Sequence, residues 1–443
     1  MAKTLEDPRG KVYAALKETV QKYHFAPLEE GPNGRMLHRN VVLMALTYLL
    51  DRNHLLVGEP GWGKTTGAKI IVAKLSGTPY DTYDAVEIRG NPQKYEEKIV
   101  GRPDYGKLAQ GKEDVIWQGS FGLDALIVDE GNRLPYDSQD VILQGIDTGR
   151  WNYNNRSLFE GKKPTFMTMN ERTGNTQNGL LPALKDRLDV VSEQGFWTTM
   201  VAFDLADAAR QVRKELCDPK HTQTVLDALA RGYPEYKRAL EGRPLKGHLT
   251  PDEKARIQEE IRSLQLDNDA MLFIQAFMAE INFSNKYGSK RASDPKSDDT
   301  HDQTHAGVHV KHSFSPRSVM AIEDYSRALA WLLQESPSID HVRYLLPHVF
   351  AHKAEFHDDY KNANGNNPRQ TNELLHLAIT LVGEVFGRYQ KSIQPMKNLI
   401  SKIQKGQLSK AEIEKLKEQD YDHPLMKDMV RAAKEEDRKA FYE

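Results

Sequence analysis

The stretch His54–Thr66, HLLVGEPGWGKTT, decides how the rest of the chain is read. An apolar run breaks into three glycines and a proline, then delivers Lys64, Thr65 and Thr66. Gly58, Gly63, Lys64 and Thr65 satisfy the spacing G-x-x-x-x-G-K-[ST]. HLLVG is short, apolar and ends in glycine, as a central parallel strand does. KTTGAKIIVAKLSG, directly after it, is built of helix formers and finds its stop at Gly77. Strand, glycine loop and helix in that order make a cradle for phosphate. The glycines let backbone N–H groups curl around an anion, and the helix N-terminus adds the positive end of its dipole. Gly58, Pro60, Gly61, Gly63, Lys64, Thr65 and Thr66 are therefore the expected nucleotide-binding residues. Pro60 stiffens the approach, Lys64 reaches the outer phosphates, and the Thr65 hydroxyl suits Mg²⁺.

A phosphate cradle of this kind needs carboxylates nearby, and ALIVDEGN (125–132) supplies them. Its apolar residues read as a buried strand that ends in Asp129 and Glu130, at the edge where ligands bind in open α/β sheets. Asp129 is expected to hold Mg²⁺ and Glu130 to act as general base toward the attacking water. TFMTMNE (165–171) repeats the pattern and ends in Asn170, a neutral donor and acceptor suited to orienting that water. DAVEI (84–88) is a further strand candidate, and helical patterns lie between most of these strands. Strands alternating with helices imply a parallel sheet in an α/β domain.

Around this core the chain divides into four expected regions. Residues 1–30 form an N-terminal helical segment, with helical spacing over 10–23. Residues 31–197 form the α/β nucleotide-binding domain, entered by a buried helix in RNVVLMALTYLLDRN (39–53). Residues 198–357 form an all-α domain with a polar insertion near 285–313, read as a mobile loop. Within it, SPRSVMAIEDYSRALAWLLQ predicts a helix with Ser315 as N-cap and Pro316 at the first position. Residues 358–443 form a C-terminal helical extension, beginning with a linker at NANGNNPRQ (362–370).

Bulk properties narrow the function. A chain of 443 residues exceeds the roughly 250–300 that one core supports, so several domains are expected. With 39% hydrophobic and 28% charged residues and a formal net charge of −2, it carries no global basic field for nucleic acid or an anionic membrane. One cysteine, Cys217, rules out an intramolecular disulfide and fits a reducing compartment. No apolar run approaches the ~20 residues of a membrane span, and MAKTLEDPRGKV lacks the apolar core of a signal peptide. The expected location is cytoplasmic.

GEPGWGKTT, ALIVDEGNR, TMNE and LLPALKDRLDV resemble the corresponding motifs of AAA+ ATPases of the MoxR family, which carry a helix 2 insert. RGNPQKYEEKIVGR and VIWQGSFGLDALIVDE resemble that family's helix 2 loop and the small hairpin before its acidic strand. FSPRSVMAIEDYSRALAWL and IDHVRYLLPHVFAHKAEF resemble its helical lid. The resemblance covers about 30–200 and 313–357; it does not clearly cover 215–312 or 358–443. It implies an AAA+ P-loop NTPase core with a parallel sheet, followed by an all-α lid and a C-terminal helical extension. It implies ATP and Mg²⁺ as ligands, with Lys64 and Thr65 in the Walker A role, Asp129 and Glu130 in Walker B and Asn170 as sensor 1. It further implies that Arg187 reaches a neighbour's terminal phosphate and that Arg317, in SPR, serves as the lid's sensor 2 arginine. Asn132 and Arg133 match the family's Asp-Glu-x-Asn-Arg signature. Arg133 is open between a second contact in trans and a salt bridge at the sheet edge. Gly131, Leu188 and Trp62 depart mildly from the family pattern. If Arg187 acts in trans, a homo-oligomeric ring, a hexamer by resemblance, is a mechanistic need. The implied partner is a client protein with a von Willebrand factor A domain.

Two other classes remain in view. One is a nucleic-acid-dependent motor of the helicase or restriction type; Glu96 and Glu97 beside Lys94 and Lys98 in the helix 2 loop count against it. The other is a scaffold that binds nucleotide and turns it over slowly. His301, His305, His309 and His312 crowd the polar insertion, but no cysteine frames them and a metal site is not expected there. His348 and His352, four residues apart, read as packing or surface residues. The charge-balanced tail reads as solvated helix faces.

Overall fold

The alternation of strand and helix is realised as a five-stranded, all-parallel sheet in the computed structural model of the protein. The structure describes residues 7–24, 26–93, 96–153, 156–170, 179–194, 199–242, 245–282, 305–311, 314–365, 373–419 and 421–430. The chain divides into two compact units, Met1–Ser263 and Leu264–Glu443.

In the first unit the sheet strands are β1 (Asn53–Val57), β2 (Ile88–Arg89), β3 (Leu126–Asp129), β4 (Thr165–Met169) and β5 (Val190–Glu193). Their order across the sheet is β5-β1-β4-β3-β2. β1 and β4 run in register from Asn53↔Thr165 to Val57↔Met169, and β3 joins β4 from Leu126↔Thr165. Because β4 lies between β1 and β3, its exit at Asn170 falls between the glycine loop after β1 and the acid pair after β3. Most residues of β1, β3, β4 and β5 are buried because helices cover the sheet. His54, in β1, is fully buried; burial pushes its pKa down to about 3. Its two ring nitrogens lie 3.0 Å from Thr47 Oγ1 and 2.8 Å from Ser192 Oγ, tying β1 to the helix Arg39–Leu50 and to β5.

Several helix boundaries follow the sequence. The helix Arg39–Leu50 ends on Asp51 at φ 52°, and the helix Lys64–Ser76 ends on Gly77 at φ 82°. Asn53 then opens β1, as the polar break Asp51–Arg52–Asn53 predicts. An antiparallel pair, Gly101–Pro103 with Val115–Trp117, stands where a small hairpin was implied.

Other expectations fail for physical reasons. DAVEI was expected as a strand, but Asp84–Val86 finish a helix, Tyr80–Val86, and the strand is Ile88–Arg89. Tertiary contacts override the strand propensity here: Thr82 is buried against Thr222 (2.9 Å) and Tyr83 against Ser76 (3.0 Å). The helices of 199–263 belong with the sheet, where the sequence reading assigned 198 onward to the lid. Val212 and Leu216 pack on Tyr23 and Ile70. The Leu245 and Leu249 N–H groups donate to Gly77 O (2.7 Å) and Leu75 O (2.9 Å), satisfying carbonyls at the end of the helix Lys64–Ser76.

Gly90, after β2, shows how tightly the sheet's exit edge is built. Its N–H donates to Asp129 O at 2.6 Å, and a Cβ placed on it would lie 2.0 Å from Glu130 O. The obstacle is backbone, which cannot swing aside. Gly90→Ala is therefore expected to destabilise the first unit by about 1–3 kcal/mol and to displace the acid pair. A lowered urea midpoint together with weakened nucleotide binding checks this.

The second unit is helical, built on Asn268–Asn282, Pro316–Leu333, Ile339–Phe350 and Glu373–Arg388. Ser315 caps its helix as expected, accepting the Ser318 N–H. Phe273, Phe277, Phe350 and Phe356 are fully buried in the core, with ring contacts to Phe314, Phe386 and Tyr389. Glu280, also buried, receives Arg388 Nη2 at 2.6 Å, the Ala306 N–H at 3.2 Å, and lies 3.3 Å from His423 Nε2. The polar insertion is not loose at its end: Ala306–Val308 form a buried turn and Val310 bridges Phe356. Its expected mobility fails there because Ala306, Val308 and Val310 bury apolar side chains. His301, His312 and most of the insertion lie outside the described residues. No group of metal-holding residues exists among the described ones, His305 and His309 included. His348 and His352 are buried, as packing residues. Among the described residues no helix is long and apolar enough to cross a membrane.

Candidate nucleotide-binding site

The glycine loop owes its shape to three residues with positive φ: Gly58 at 140°, Gly61 at 80° and Gly63 at 76°. Side chains are strained in these conformations, and glycine is not. At Gly58 the crowding is also spatial, since a Cβ would meet Gln194 O at 2.8 Å. Beneath the loop, the buried His24 ring packs against the first turn of the helix: a Cβ on Gly67 would lie 2.8 Å from its Nε2. Burial pushes the His24 pKa down to about 4, so the ring is neutral at pH 7 and puts no charge beside the helix N-terminus.

A cleft of about 260 Å³ opens above this loop. Pro60, Gly61, Trp62, Gly63, Lys64, Thr65 and Thr66 line one side, and Asp129, Glu130, Thr168 and Asn170 the other. Lys64, itself buried, donates to Gly58 O (2.8 Å), Glu59 O (2.8 Å) and Asn170 Oδ1 (2.7 Å). The Asn170 amide donates to Glu130 Oε1 at 2.7 Å. Glu130 Oε2 pairs with Arg133. The Thr65 hydroxyl donates to Asp129 Oδ1. A continuous hydrogen-bonded path thus runs from Lys64 through Asn170 and Glu130 to Arg133.

Glu130 holds an αL conformation, φ 49° and ψ 49°. For a residue other than glycine this costs of order 1–3 kcal/mol, and such strain concentrates at functional sites. Here it turns the chain sharply off β3, so that Asp129 and Glu130 face the same cleft.

The structure brings Gly58, Lys64, Thr65, Asp129, Glu130 and Asn170 together, and it gives Arg133 a salt bridge to Glu130. Arg187 stands elsewhere. It ends the helix Pro182–Arg187 and binds Ala183 O and Asp147 Oδ2, both at 3.0 Å, rather than its neighbours Asp186 or Asp189. Its carbonyl accepts the Asn53 side-chain amide at 2.9 Å, at the entry of β1. The cleft lies at the exit of β1, roughly 13 Å further along the strand. Arg317 is exposed in the first turn of the helix Pro316–Leu333, in the second unit. The sequence reading passed over Thr168 and strand β5. Thr168 had a signal: on a strand, residues 168 and 170 share a face.

The residues fit a nucleoside triphosphate with a divalent cation. The positive-φ glycines give the loop the kind of backbone that can curl N–H groups around an anion. A buried ammonium stands beside them, and a hydroxyl–carboxylate pair offers the hard oxygen ligands that Mg²⁺ prefers.

Comparison with known proteins agrees with this geometry. Residues 53–188 match the profile of the AAA domain, dynein-related subfamily. No curated protein sequence matches the chain. Among solved structures, a candidate ATPase from Cytophaga hutchinsonii superposes with a TM-score of 0.57 at 13% identity, over 87% of this chain and 96% of that one. A full-length MCM homolog from Methanopyrus kandleri reaches a TM-score of 0.36 at 10% identity, over 69% of this chain and 52% of that one, too weak to bear on the fold. The parallel sheet with its glycine cradle, all but its last strand within the matched residues 53–188, has the fold of an AAA domain, set within a larger, mostly helical chain.

Proposed function

We propose that this chain is an ATP·Mg²⁺ hydrolase of the AAA+ type that works as a ring of identical subunits. The observation that carries the reading is the path Lys64–Asn170–Glu130, with Thr65 and Asp129 alongside. Lys64 and the loop N–H groups would hold the β- and γ-phosphates. Thr65 and Asp129 would hold Mg²⁺, which when bound offsets phosphate charge. Glu130 would take the proton from the attacking water, and Asn170 would orient that water.

Arg187 supports the oligomer. Fixed at the entry edge of the sheet, it is far from its own cleft along β1, so a nucleotide that it contacts would belong to a neighbouring chain. An arginine acting in trans is worth about 10³–10⁵ in rate in well-characterised NTPases. Lys64→Ala and Arg187→Ala proteins, each inactive alone, are expected to recover part of the activity when mixed, as read by phosphate release. No recovery at any ratio would refute the shared site. By resemblance, Arg317 is proposed as the sensor 2 arginine.

By resemblance to MoxR ATPases, the work done is remodelling of a partner protein that carries a von Willebrand factor A domain. The turn Glu96–Lys98 in the 91–102 loop would transmit the stroke; its exposed Glu96 and Glu97 favour a protein client over nucleic acid. The domain limits 1–30, 31–197, 198–357 and 358–443 remain the proposed functional divisions, with the structural boundary at Ser263 setting which helices share the sheet's core.

A further inference from the structure

Thr168 is almost fully buried, and its hydroxyl both donates and accepts. Oγ1 donates to Asp129 Oδ1 at 2.8 Å and accepts the Glu130 N–H at 2.9 Å. The two bonds reach the side chain of one acid and the backbone of the other. Between β3 and β4 the ladder runs from Leu126↔Thr165 to Val128↔Met167 and then ends, where Glu130 turns into αL. Just past that point the Thr168 side chain replaces the missing rung.

Resting on the hydrolase reading above, we propose that Thr168 is the positioning residue of the acid pair. It fixes the Asp129 carboxylate toward the metal position and pins the αL turn that presents Glu130. The division of oxygens supports this. Thr65 and Thr168 both donate to Asp129 Oδ1, which leaves Oδ2 as the oxygen available for metal or its water. Thr65 must turn to serve a cation, whereas Thr168 faces Asp129 from the sheet and has no competing ligand. A hydroxyl with one proton and two lone pairs is the smallest group that can donate to a carboxylate and accept from an amide at once. Valine has the same shape and neither capacity. It would also leave the Glu130 N–H without its partner.

The test compares Thr168→Val and Thr168→Ser with the unaltered protein by steady-state hydrolysis under Mg²⁺ titration. Binding of a fluorescent ATP analogue in EDTA and urea unfolding run alongside. For Thr168→Val, kcat is expected to fall about 10–100-fold and the half-saturating Mg²⁺ concentration to rise by a similar order, as for other residues that orient metal ligands. Metal-free nucleotide binding should hold, because the glycine loop is untouched. Thr168→Ser keeps the hydroxyl and should restore the Mg²⁺ dependence. Unchanged kcat and Mg²⁺ dependence in Thr168→Val overturns the assignment. So does a Thr168→Ser protein as impaired as the valine variant, which would mean that packing of the methyl matters and not the hydroxyl. If Thr168→Val does not fold, the serine variant alone decides. Absence of hydrolysis by the unaltered protein overturns the hydrolase reading instead, and this inference with it.

Discussion

Glu130→Gln is expected to cut ATP hydrolysis by about 10²–10⁴ while ATP stays bound, the usual range for removing a general base. Glutamine matches the glutamate in size and can keep the bond from the Asn170 amide to its carbonyl oxygen. The αL backbone at position 130 is no harder for one than for the other. What disappears is the carboxylate that takes a proton from water and pairs with Arg133. Lys64, Thr65 and the glycine loop are untouched, so binding and assembly should persist. The measurements are single-turnover hydrolysis and nucleotide retention on a spin column. Affinity capture with this variant is also the route to the client. Turnover within threefold or so of the unaltered protein would remove Glu130 from the catalytic role, since even the lower bound of general-base catalysis is larger.

The largest stability effect is expected from Glu280→Ala, in the second unit. Glu280 has no exposed side-chain surface and joins four segments: its own helix, Arg388, the turn at Ala306 and the segment bearing His423. Removing one partner of a buried pair costs about 3–5 kcal/mol. The lower end applies here, because the Arg388 side chain keeps 28% of its exposure and so some hydration. The pH dependence has a definite sign. Burial alone would raise the Glu280 pKa, but the nearby His423 ring and the hydrogen-bonded Arg388 guanidinium outweigh it and hold the group below the ordinary 4.5. A carboxylate with a depressed folded pKa contributes stability above its unfolded value, and that contribution is lost as pH falls through the folded value. The second unit's stability against urea should therefore fall as pH drops below about 4.5, and Glu280→Ala should flatten that part of the profile. An alanine variant with the same acid slope as the parent would show that Glu280 is not its source.

The parts of the site legible in the sequence are those whose chemistry is local. The run His54–Thr66 forces positive φ at its glycines, and a buried strand that ends in two acids has few structural uses. Asn170 was legible for the same reason, as a polar residue that ends an apolar strand. What stayed hidden depends on residues distant in sequence. DAVEI has strand-like composition, yet Thr222, well over a hundred residues away, holds its neighbour Thr82 in a helix. Strand β5 is only four residues long and too brief for periodicity to register. Thr168 shares a strand face with Asn170, but only the register of β3 against β4 sets it beside both acids. Arg187 enters the expected site only through family resemblance, and the structure places it at the entry end of β1. Its ion-pair partner, Asp147, comes from another helix and is not marked in the sequence around it. Helical spacing says that 199–263 forms helices and nothing about which core they join, and the structure joins them to the sheet's unit.

That last feature bears on anyone who would transplant this cradle. The profile ends at Leu188, but a graft cut there would leave Ile70 without Val212 and Leu216, and would strip the helix behind the loop of the amides that satisfy its final carbonyls. The portable cassette is the whole stretch to Ser263, and a shorter excision carries the motif without the buttress that keeps it in shape.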